Sequence, residues 1–410
     1  MSSESVAVPL EHPDAPIVVR THPKRVIFIL GAVTAFSPVA IDMYLPAFPS
    51  IARDLHADMG QVELTVSLFL AGMGIGQAFY GPLSDRWGRR APLLIGSMVY
   101  AIAAVGCALS NSIGLLLAGR LLMALGGAAG SVITRAMVRD WFDAKESAHV
   151  FSTLMLVMGA APIFAPMLGS QVLLFTGWRG VFVLFALFGL ACTLAVAAWL
   201  PESLPESRRT KHGMGAVFGG YWHLMKNRRF TGFALAAGFA SGLLFTYITG
   251  VAPVIMNYYG VRPSLFGFLF SANAFGLIAG SQVNRRLLRK YSSAQIVSAV
   301  YNVTCGTAVL LFVHGLTGWG GLPALSVLLF AMLTTMGFVF PNLSALTMAP
   351  FTTQAGTASA LLGTAQYVIG CVAGGLVSAF HNGTPQPLAF LMATNAVIGW
   401  LLMRRALKHA

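Results

Sequence analysis

Long apolar runs alternate with short polar segments along almost the whole chain. Each run is about 20 residues long, the length that an α-helix needs to cross a bilayer core about 30 Å thick. A strand of a membrane barrel needs only about 10 residues, so the runs indicate helices. The fold class is therefore an all-α integral membrane protein. We predict twelve transmembrane helices, at about residues 26–48, 61–83, 92–109, 113–135, 150–173, 180–200, 230–254, 263–284, 292–313, 321–345, 355–379 and 385–403.

The longest polar connection divides these helices into two groups of six. It spans residues 201–229 and is basic and rich in Pro, Ser and Gly. We therefore predict an N-terminal six-helix bundle over residues 25–200 and a C-terminal six-helix bundle over residues 230–405. The polar ends, residues 1–24 and 406–410, are predicted to be cytoplasmic tails, and the first lacks the apolar core of a cleavable signal peptide.

The composition supports this class and argues against metal or disulfide chemistry. Hydrophobic residues make up 56% of the 410 residues and charged residues 10%, whereas soluble domains carry about 25% charged residues. The four cysteines lie inside apolar runs at wide spacings, which suggests neither a disulfide framework nor a metal site. We expect no metal and no cofactor.

The formal net charge of +13 follows from membrane orientation. If the N-terminus is cytoplasmic, most of the 26 Lys and Arg residues fall in cytoplasmic segments, and the outer connections hold only Arg53, Arg179 and Arg262. The positive-inside rule then places both termini in the cytoplasm. A nucleic-acid partner is not needed to explain the charge.

Two short basic loops indicate an internal duplication. The loop after the second predicted helix begins Gly81-Pro-Leu-Ser-Asp85-Arg86, and a similar loop after the eighth helix begins Gly280-Ser-Gln-Val-Asn284-Arg285. The two loops lie about 199 residues apart, and internal repeats of this kind are common in transporters. We therefore predict two six-helix pseudo-repeats.

The first of these loops, GPLSDRWGRR at residues 81–90, resembles the loop signature of the major facilitator superfamily. Four further stretches resemble the Bcr/CflA branch of its drug:proton antiporters, which contains bicyclomycin and chloramphenicol/florfenicol exporters. They are AIDMYLPAFP (40–49), ITRAMVRD (133–140), APIFAPMLG (161–169) and PNLSALTMAPF (341–351). The resemblance covers about residues 24–405 and implies a major facilitator fold.

Asp42 is the acidic residue for which the sequence most favours a function. It lies about 17 residues beyond Arg25, at a depth in the bilayer core where a carboxylate costs roughly 2.5–3.5 kcal/mol. All 13 acidic residues lie at or before Glu206, so a membrane-embedded proton carrier must come from the first half. The alternative interpretations are a helix-end acid that reaches the interface and a turn residue ahead of Pro46.

Arg120 is predicted to pair with Asp42, because the two lie at similar depths in their helices. Burial favours the protonated acid and a neighbouring guanidinium favours the carboxylate, so such a pair can take up and release a proton. The alternative is a static pair that only fixes packing. Glu63, near the outer start of the second helix, is interpreted as a solvated or capping residue, with a second titrating site as the alternative.

The resemblance assigns further roles by motif. It implies that the loop of Gly81, Asp85, Arg86, Gly88, Arg89 and Arg90 gates the cytoplasmic side, where Asp85 docks the first half onto the second. It also implies that an antiporter motif bends the fifth helix along the interface between the halves, through Gly159, Pro162, Pro166 and Gly169.

The drug cavity is predicted to be mostly apolar with a few directing polar groups. Its candidate residues are Tyr44, Leu154, Met158, Phe245, Tyr247, Asn273 and Gln366.

The preferred function is a proton-coupled antiporter of the bacterial inner membrane that exports small lipophilic drugs. It is expected to act as a monomer whose partners are the drug, protons and the lipid bilayer, with a proton gradient in place of a cofactor. A proton symporter for a small nutrient is the alternative within transport. A membrane-embedded enzyme is disfavoured, because no paired carboxylates, HExxH or nucleophile with a base are present.

Overall fold

A computed structural model describes residues 22–209, 214–351 and 355–408. Most of the predicted N-terminal tail, part of the 201–229 connection and the last two residues therefore lie outside the described residues. The described first half contains helices α1 (Pro23–Thr34), α2 (Phe36–Asp42), α3 (Phe48–Asp54), α4 (Met59–Trp87), α5 (Arg90–Ala108), α6 (Ile113–Trp141) and α7 (Ala144–Trp199). The connection contains α8 (Met214–Lys226). The second half contains α9 (Arg228–Pro253), α10 (Pro263–Leu287), α11 (Ser293–Thr317), α12 (Gly321–Met348), α13 (Ala355–Ala379) and α14 (Gln386–Lys408).

These helices give the twelve predicted membrane crossings. Ten are long and apolar enough to span a bilayer, and the bent run Pro23–Thr34 plus Phe36–Asp54 makes an eleventh. Helix α7 supplies two crossings, because its 56 residues extend roughly 84 Å at about 1.5 Å per residue. Gly177, at φ 67° and ψ −175°, breaks it between the fifth and sixth predicted spans.

The first crossing is broken, although the sequence predicted one continuous run. Helices α1 and α2 form part of a span that bends by 41°. The break lies one turn before Pro38, whose ring nitrogen carries no hydrogen to bond the carbonyl of Thr34. This break sets the direction in which α2 presents Asp42 at its C-terminal end.

Within each half, glycines bring one pair of helices into close contact, and the two pairs occupy equivalent positions. Helix α4 packs on α6, where a methyl group added at Gly72 would lie 2.7 Å from the Cβ of Ala124. Helix α10 packs on α12 in the same way, with Gly276 against Thr334. The repeated pairing agrees with a duplicated helix arrangement. Gly81, which the sequence matched to Gly280, has no such contact within 4 Å.

The predicted 201–229 connection is partly helical. It contains α8, and the hydroxyl of Tyr221 on this helix donates to the carbonyl oxygen of Ala78 on α4 at 3.4 Å. The connection therefore packs along the end of the first half that the basic loops predict to be cytoplasmic.

The two halves meet along α4 with α13 and along α7 with α10. We call the end where α4 begins and α13 ends the outer end, following the orientation that the basic loops predict. Near that end the hydroxyl of Ser378 donates to the carbonyl oxygen of Gly60. The hydroxyl of Ser271 donates to the carbonyl oxygen of Ile163 at 2.5 Å. The first bond holds the halves together at the outer end, and the second does so nearer the middle of the bundle.

Replacing Gly126 tests the glycine contacts. A methyl group there would lie 2.5 Å from the carbonyl oxygen of Gly96 and 2.5 Å from the backbone nitrogen of Tyr100. We expect Gly126→Ala to lower the free energy of unfolding by about 1–3 kcal/mol, because the helix backbones must separate. Thermal unfolding in detergent measures the effect. Gly106→Ala, on an exposed helix face with nothing within 4 Å, is the control and should not destabilise. Equal melting temperatures for both variants would contradict the packing argument.

Candidate functional site

A cavity of about 120 Å³ lies between the two halves. The first half contributes Asp42, Met158, Gly159 and Pro162 to its wall. The second half contributes Leu244, Tyr247, Ile248, Phe270, Ala274, Leu277, Ile278 and Leu333. The wall is therefore almost wholly apolar, and Asp42 is its one carboxyl group.

Asp42 is buried but reaches the cavity. Its exposed fraction is 4%, and it ends α2 immediately before the turn that leads to α3. Within the described residues it forms no hydrogen bond and no ion pair. An ionised carboxylate in such surroundings is costly unless it is paired, whereas the protonated acid is not. The site can therefore exchange a proton or accept a polar group of a ligand.

The structure does not form the predicted ion pair between Asp42 and Arg120. Arg120 is fully buried, and its Nη1 donates to the carbonyl oxygen of Ala40 at 2.9 Å. The guanidinium carbon lies 4.6 Å from the ring centroid of Tyr44 and 4.4 Å from that of Phe69. Two aromatic faces and a carbonyl thus take the place of the expected carboxylate.

Helical geometry explains the missing pair. Ala40 and Tyr44 are four residues apart, so they share one face of the helical turn, and this face contacts Arg120. Asp42 lies midway between them and points to the opposite side, toward the cavity. The sequence argument matched the depths of the two charges and left their rotation about the helix axis unspecified. Arg120 Nε and Nη2 remain without hydrogen-bond partners among the described residues.

The second half contributes an aromatic wall. The rings of Tyr247 and Phe270 stack with centroids 5.3 Å apart. Asn273 Nδ2 donates to the hydroxyl of Tyr247 at 2.9 Å and so fixes that side chain from behind. Tyr247 and Met158 line the cavity as predicted, and Asn273 acts on it through Tyr247.

Five of the seven predicted cavity residues are not among those that line it: Asn273, which contacts Tyr247 from behind, and four others. The Tyr44 hydroxyl shares a hydrogen bond of 2.6 Å with that of Thr65, and Phe245 stacks on Tyr367 with ring centroids 5.7 Å apart. Leu154 is buried beside Gly31, and Gln366 is half-buried on α13. Several lining residues were missed, including Ile248 and Ile278, because nothing in an apolar run marks the face that borders the cavity.

The proline-containing part of α7 forms the first-half wall. Gly159 and Pro162 line the cavity, and Pro166 lies against Gly267 of α10. Pro162 and Pro166 have no backbone N–H, so α7 lacks two of its internal hydrogen bonds here. A side chain at Gly169 would collide with the backbone of Met43, so α7 also packs tightly on the segment beside Asp42.

A charged network occupies the cytoplasmic end of the first half. Arg89 is buried, and it donates to Asp85, to Asp140 at 3.1 Å and to the hydroxyl of Ser84 at 2.8 Å. In this conformation Asp85 therefore pairs within its own half. Its counterpart Asn284 accepts an uncharged hydrogen bond from Asn342 of α12 at 2.7 Å, also within its own half.

Sequence reasoning missed Glu202, which completes this network. Its carboxylate accepts from the backbone nitrogen of Arg89 at 2.7 Å and of Arg90 at 3.1 Å, close to Gly88 at φ 90°. Arg90 also donates to the carbonyl oxygen of Ala197 at 2.6 Å, whereas Arg86 is exposed. An acid at the cytoplasmic end of the sixth span, near the basic loop, was the available signal.

Glu63 is neither solvated nor a cap, which corrects the sequence interpretation. Its exposed fraction is 1%, and Asp58 and Gln61 form the capping box of α4 instead. Its Oε1 lies 3.2 Å from Nδ1 of His381, in the second half. Its partner comes from a distant segment, which the local sequence does not reveal.

The family comparison agrees with the fold. A sequence model of the Major Facilitator Superfamily matches residues 30–375. The uncharacterized MFS-type transporter YdgK of Bacillus subtilis (strain 168) is 38% identical over 382 residues, covering 91% of this chain and 93% of that protein.

A second relative supports the branch that the sequence motifs indicated. The bicyclomycin resistance protein homolog of Haemophilus influenzae is 31% identical over 383 residues, covering 92% of this chain and 94% of that protein. Among solved structures, a bacterial homolog of the human lysosomal transporter Spinster aligns with a TM-score of 0.71 at 18% identity. It covers 94% of this chain and 97% of that chain, a likeness of fold alone.

A double-mutant cycle tests the separation of Asp42 from Arg120. We expect the effects of Asp42→Asn and Arg120→Met on the free energy of unfolding to add within about 0.5 kcal/mol, because the side chains share no contact. The matched cycle of Arg120→Met with Tyr44→Leu should show coupling of about 1–2 kcal/mol, since the guanidinium lies over that ring. Denaturation of the purified protein gives both values. Strong coupling between positions 42 and 120 would contradict this separation and indicate that the two side chains form an ion pair.

Proposed function

This chain belongs to the Major Facilitator Superfamily, and on that premise we propose that it is a drug:proton antiporter. It exports small lipophilic compounds, of the bicyclomycin or chloramphenicol type, by alternating access. The name of the Haemophilus influenzae relative supports the substrate class. We place the protein as a monomer in a bacterial inner membrane with both termini cytoplasmic, driven by a proton gradient and without a cofactor.

One observation carries the proposal: Asp42 faces an apolar cavity between the halves and has no hydrogen-bond or ion-pair partner among the described residues. In this water-poor cavity, a drug that places a hydrogen-bond donor against the carboxylate stabilises ionised Asp42 and so takes the place of its proton. A proton on Asp42 satisfies the carboxyl group without the drug. Drug and proton therefore alternate at one site, as exchange requires.

Arg120 is proposed to act on this site through the helix and not through an ion pair. Its bond to the carbonyl oxygen of Ala40 and its place between two rings fix the end of α2. This contact holds Asp42 toward the cavity, so Arg120 is a positioning residue. Pro162 and Pro166 leave α7 short of hydrogen bonds beside the cavity, which favours bending there as the halves move.

The cavity wall also bears on the alternative of nutrient symport. A sugar needs several hydrogen-bonding groups, and the wall offers the Asp42 carboxyl and the Tyr247 hydroxyl among mostly aliphatic and aromatic side chains. Its composition suits a lipophilic substrate better.

Loss of the titrating group tests the proposal. We expect Asp42→Asn to keep the fold and to abolish drug resistance, because the amide keeps the shape and cannot bind the exchanged proton. Susceptibility to a panel of antibiotics is measured in a strain that lacks its own exporters, with and without a protonophore.

Asp58→Asn is the matched control, since Asp58 is an exposed helix cap and asparagine caps equally well. It should retain resistance. Resistance that is unaffected by Asp42→Asn, or by the protonophore in wild-type cells, would contradict proton-driven export through this site.

Asp85→Asn tests the proposed gate. When Asp85 is neutral, Arg89 still has Asp140 and Ser84 as partners, so the present conformation loses little. A conformation in which Asp85 docks on the second half loses its charge interaction, and the equilibrium shifts accordingly. Spin labels are placed on Ala148→Cys and Leu288→Cys, at the cytoplasmic ends of α7 and α10. In Asp85→Asn, a larger fraction of molecules than in wild type should have these two ends far apart. Glu206→Gln, on the exposed connection, is the control. An unchanged distance distribution with lost transport would remove the gating role.

A further inference from the structure

Glu63 joins the two halves near the outer end. It lies one turn into α4 and is 1% exposed, whereas His381 follows α13 and its side chain is 24% exposed. The distance of 3.2 Å between Oε1 and Nδ1 allows a hydrogen bond from the imidazole to the carboxylate. A buried acid is thus connected to the outer solvent through a histidine of the opposite half.

A second bond lies beside this pair. The Ser378 hydroxyl, one turn before His381, donates to the carbonyl oxygen of Gly60 on α4. Both bonds cross from one half to the other at the outer end. Separation of the halves on this side must break them, so the pair can stay formed only while the outer side is closed.

No other charged group of the described chain faces the pair closely. The elements packed around it carry charged or titratable side chains at the surface and deeper in the bundle, but only Glu63 and His381 influence each other's charge. Toward the surface these are Arg53, Asp54, His56 and Asp58. Deeper in the bundle they are Asp42, Cys107, Arg120 and Tyr247. Arg53 lies beside Asp54, and Arg120 lies between two rings. The protonation of the pair is therefore set by its own contact and by its burial.

Unpartnered oxygen atoms continue inward from Glu63. Its Oε2 is buried without a hydrogen-bond partner, and so are the hydroxyl of Ser67, one turn further along α4, and that of Thr249 on α9. The two hydroxyls lie beside Gly374, where an added methyl group would lie 2.7 and 2.8 Å from them. Buried polar atoms need partners, and ordered water commonly supplies them. Oε2 is thus free to bind a proton while Oε1 holds the histidine.

We propose that Glu63 and His381 form a second proton-binding site, which holds the outer side of the transporter closed while His381 carries a proton. The protonated imidazole donates a charge-assisted bond to the carboxylate, which is stronger than the bond from a neutral imidazole. Loss of that proton weakens the bond between the halves. Further acidification puts a proton on Glu63 and weakens it again.

The direction of the pH dependence follows from the contact. The hydrogen bond to Glu63 raises the pKa of His381 in the closed conformation. When the halves separate, the imidazole faces water, with an ordinary pKa of about 6.5. The closed conformation therefore gains its stabilisation below that ordinary value. It loses this stabilisation as the pH rises through the raised value.

This inference rests on the proposed function for its place in the cycle. A proton that enters from the outer side and binds His381 favours closure of that side, so proton uptake and the return to the inward-facing state are linked. The closure itself is a property of the protein without drug and is measured without transport.

Distances between spin labels test the closure. Labels on Asn111→Cys and Leu316→Cys mark the outer end of each half in a background without native cysteines. The measurements are made in Asp42→Asn protein, so that the cavity carboxyl does not titrate. We expect the ratio of open to closed outer ends to rise several-fold as the pH increases from 6 to 9. His381→Asn and Glu63→Gln should each remove this dependence and give a mostly open outer end at pH 6.

His56→Asn is the matched control, because His56 is an exposed outer histidine with φ 47°, a conformation that asparagine tolerates. It should keep the pH dependence. Folding of every variant is checked by its melting temperature. The same pH dependence in His381→Asn or Glu63→Gln as in the parent would overturn the proposal, whatever the outcome of the antibiotic assays.

Discussion

The carboxyl group of Asp42 is buried against an apolar cavity, and it has no hydrogen-bond or ion-pair partner among the described residues. Asp42 ends a short helix whose other face is fixed by Arg120, so its orientation is set by the helical period. Pairing within the protein would neutralise it permanently. Leaving it unpaired preserves a site where a proton or a ligand supplies the missing interaction. The apolar wall from both halves makes that choice energetically important.

The two ends of the interface are built differently. At the cytoplasmic end the charged network of Arg89, Asp140 and Glu202 lies within the first half. At the outer end the pair of Glu63 and His381 joins the halves. Movement that opens the outer end therefore breaks a polar contact, whereas the cytoplasmic network can persist. A conformational equilibrium between the two ends is then sensitive to protons from the outer side.

Much of the fold was predictable, because the length and apolar composition of a run indicate a membrane span without knowledge of its contacts. Run lengths gave the twelve crossings, and basic loops gave an expected orientation, since both depend on local sequence. The break near Ala35 follows from Pro38, but the sequence prediction gave this apolar run as one continuous helix. The cavity wall was predicted in part, at Met158 and Tyr247, because aliphatic residues in a run do not indicate which face borders a cavity.

Contacts between distant segments explain why the predictions for Arg120 and Glu63 were wrong and why Glu202 was missed. The depths of Asp42 and Arg120 were estimated from sequence, but an ion pair also needs matching rotation about both helix axes. Glu63 looked like a helix-end residue because its partner lies 318 positions away. Glu202 was overlooked for the same reason, since its acceptor role toward the 81–90 loop arises from folding.

Proton release on drug binding shows whether drug and proton exchange at Asp42. Purified protein in a weakly buffered detergent solution is mixed with a drug that the susceptibility panel identifies as a substrate, and the pH is followed. We expect wild-type protein to release a proton as drug enters the cavity and Asp42→Asn to bind drug without release. Drug binding to wild-type protein with no proton release, or an undiminished release from Asp42→Asn, would contradict it.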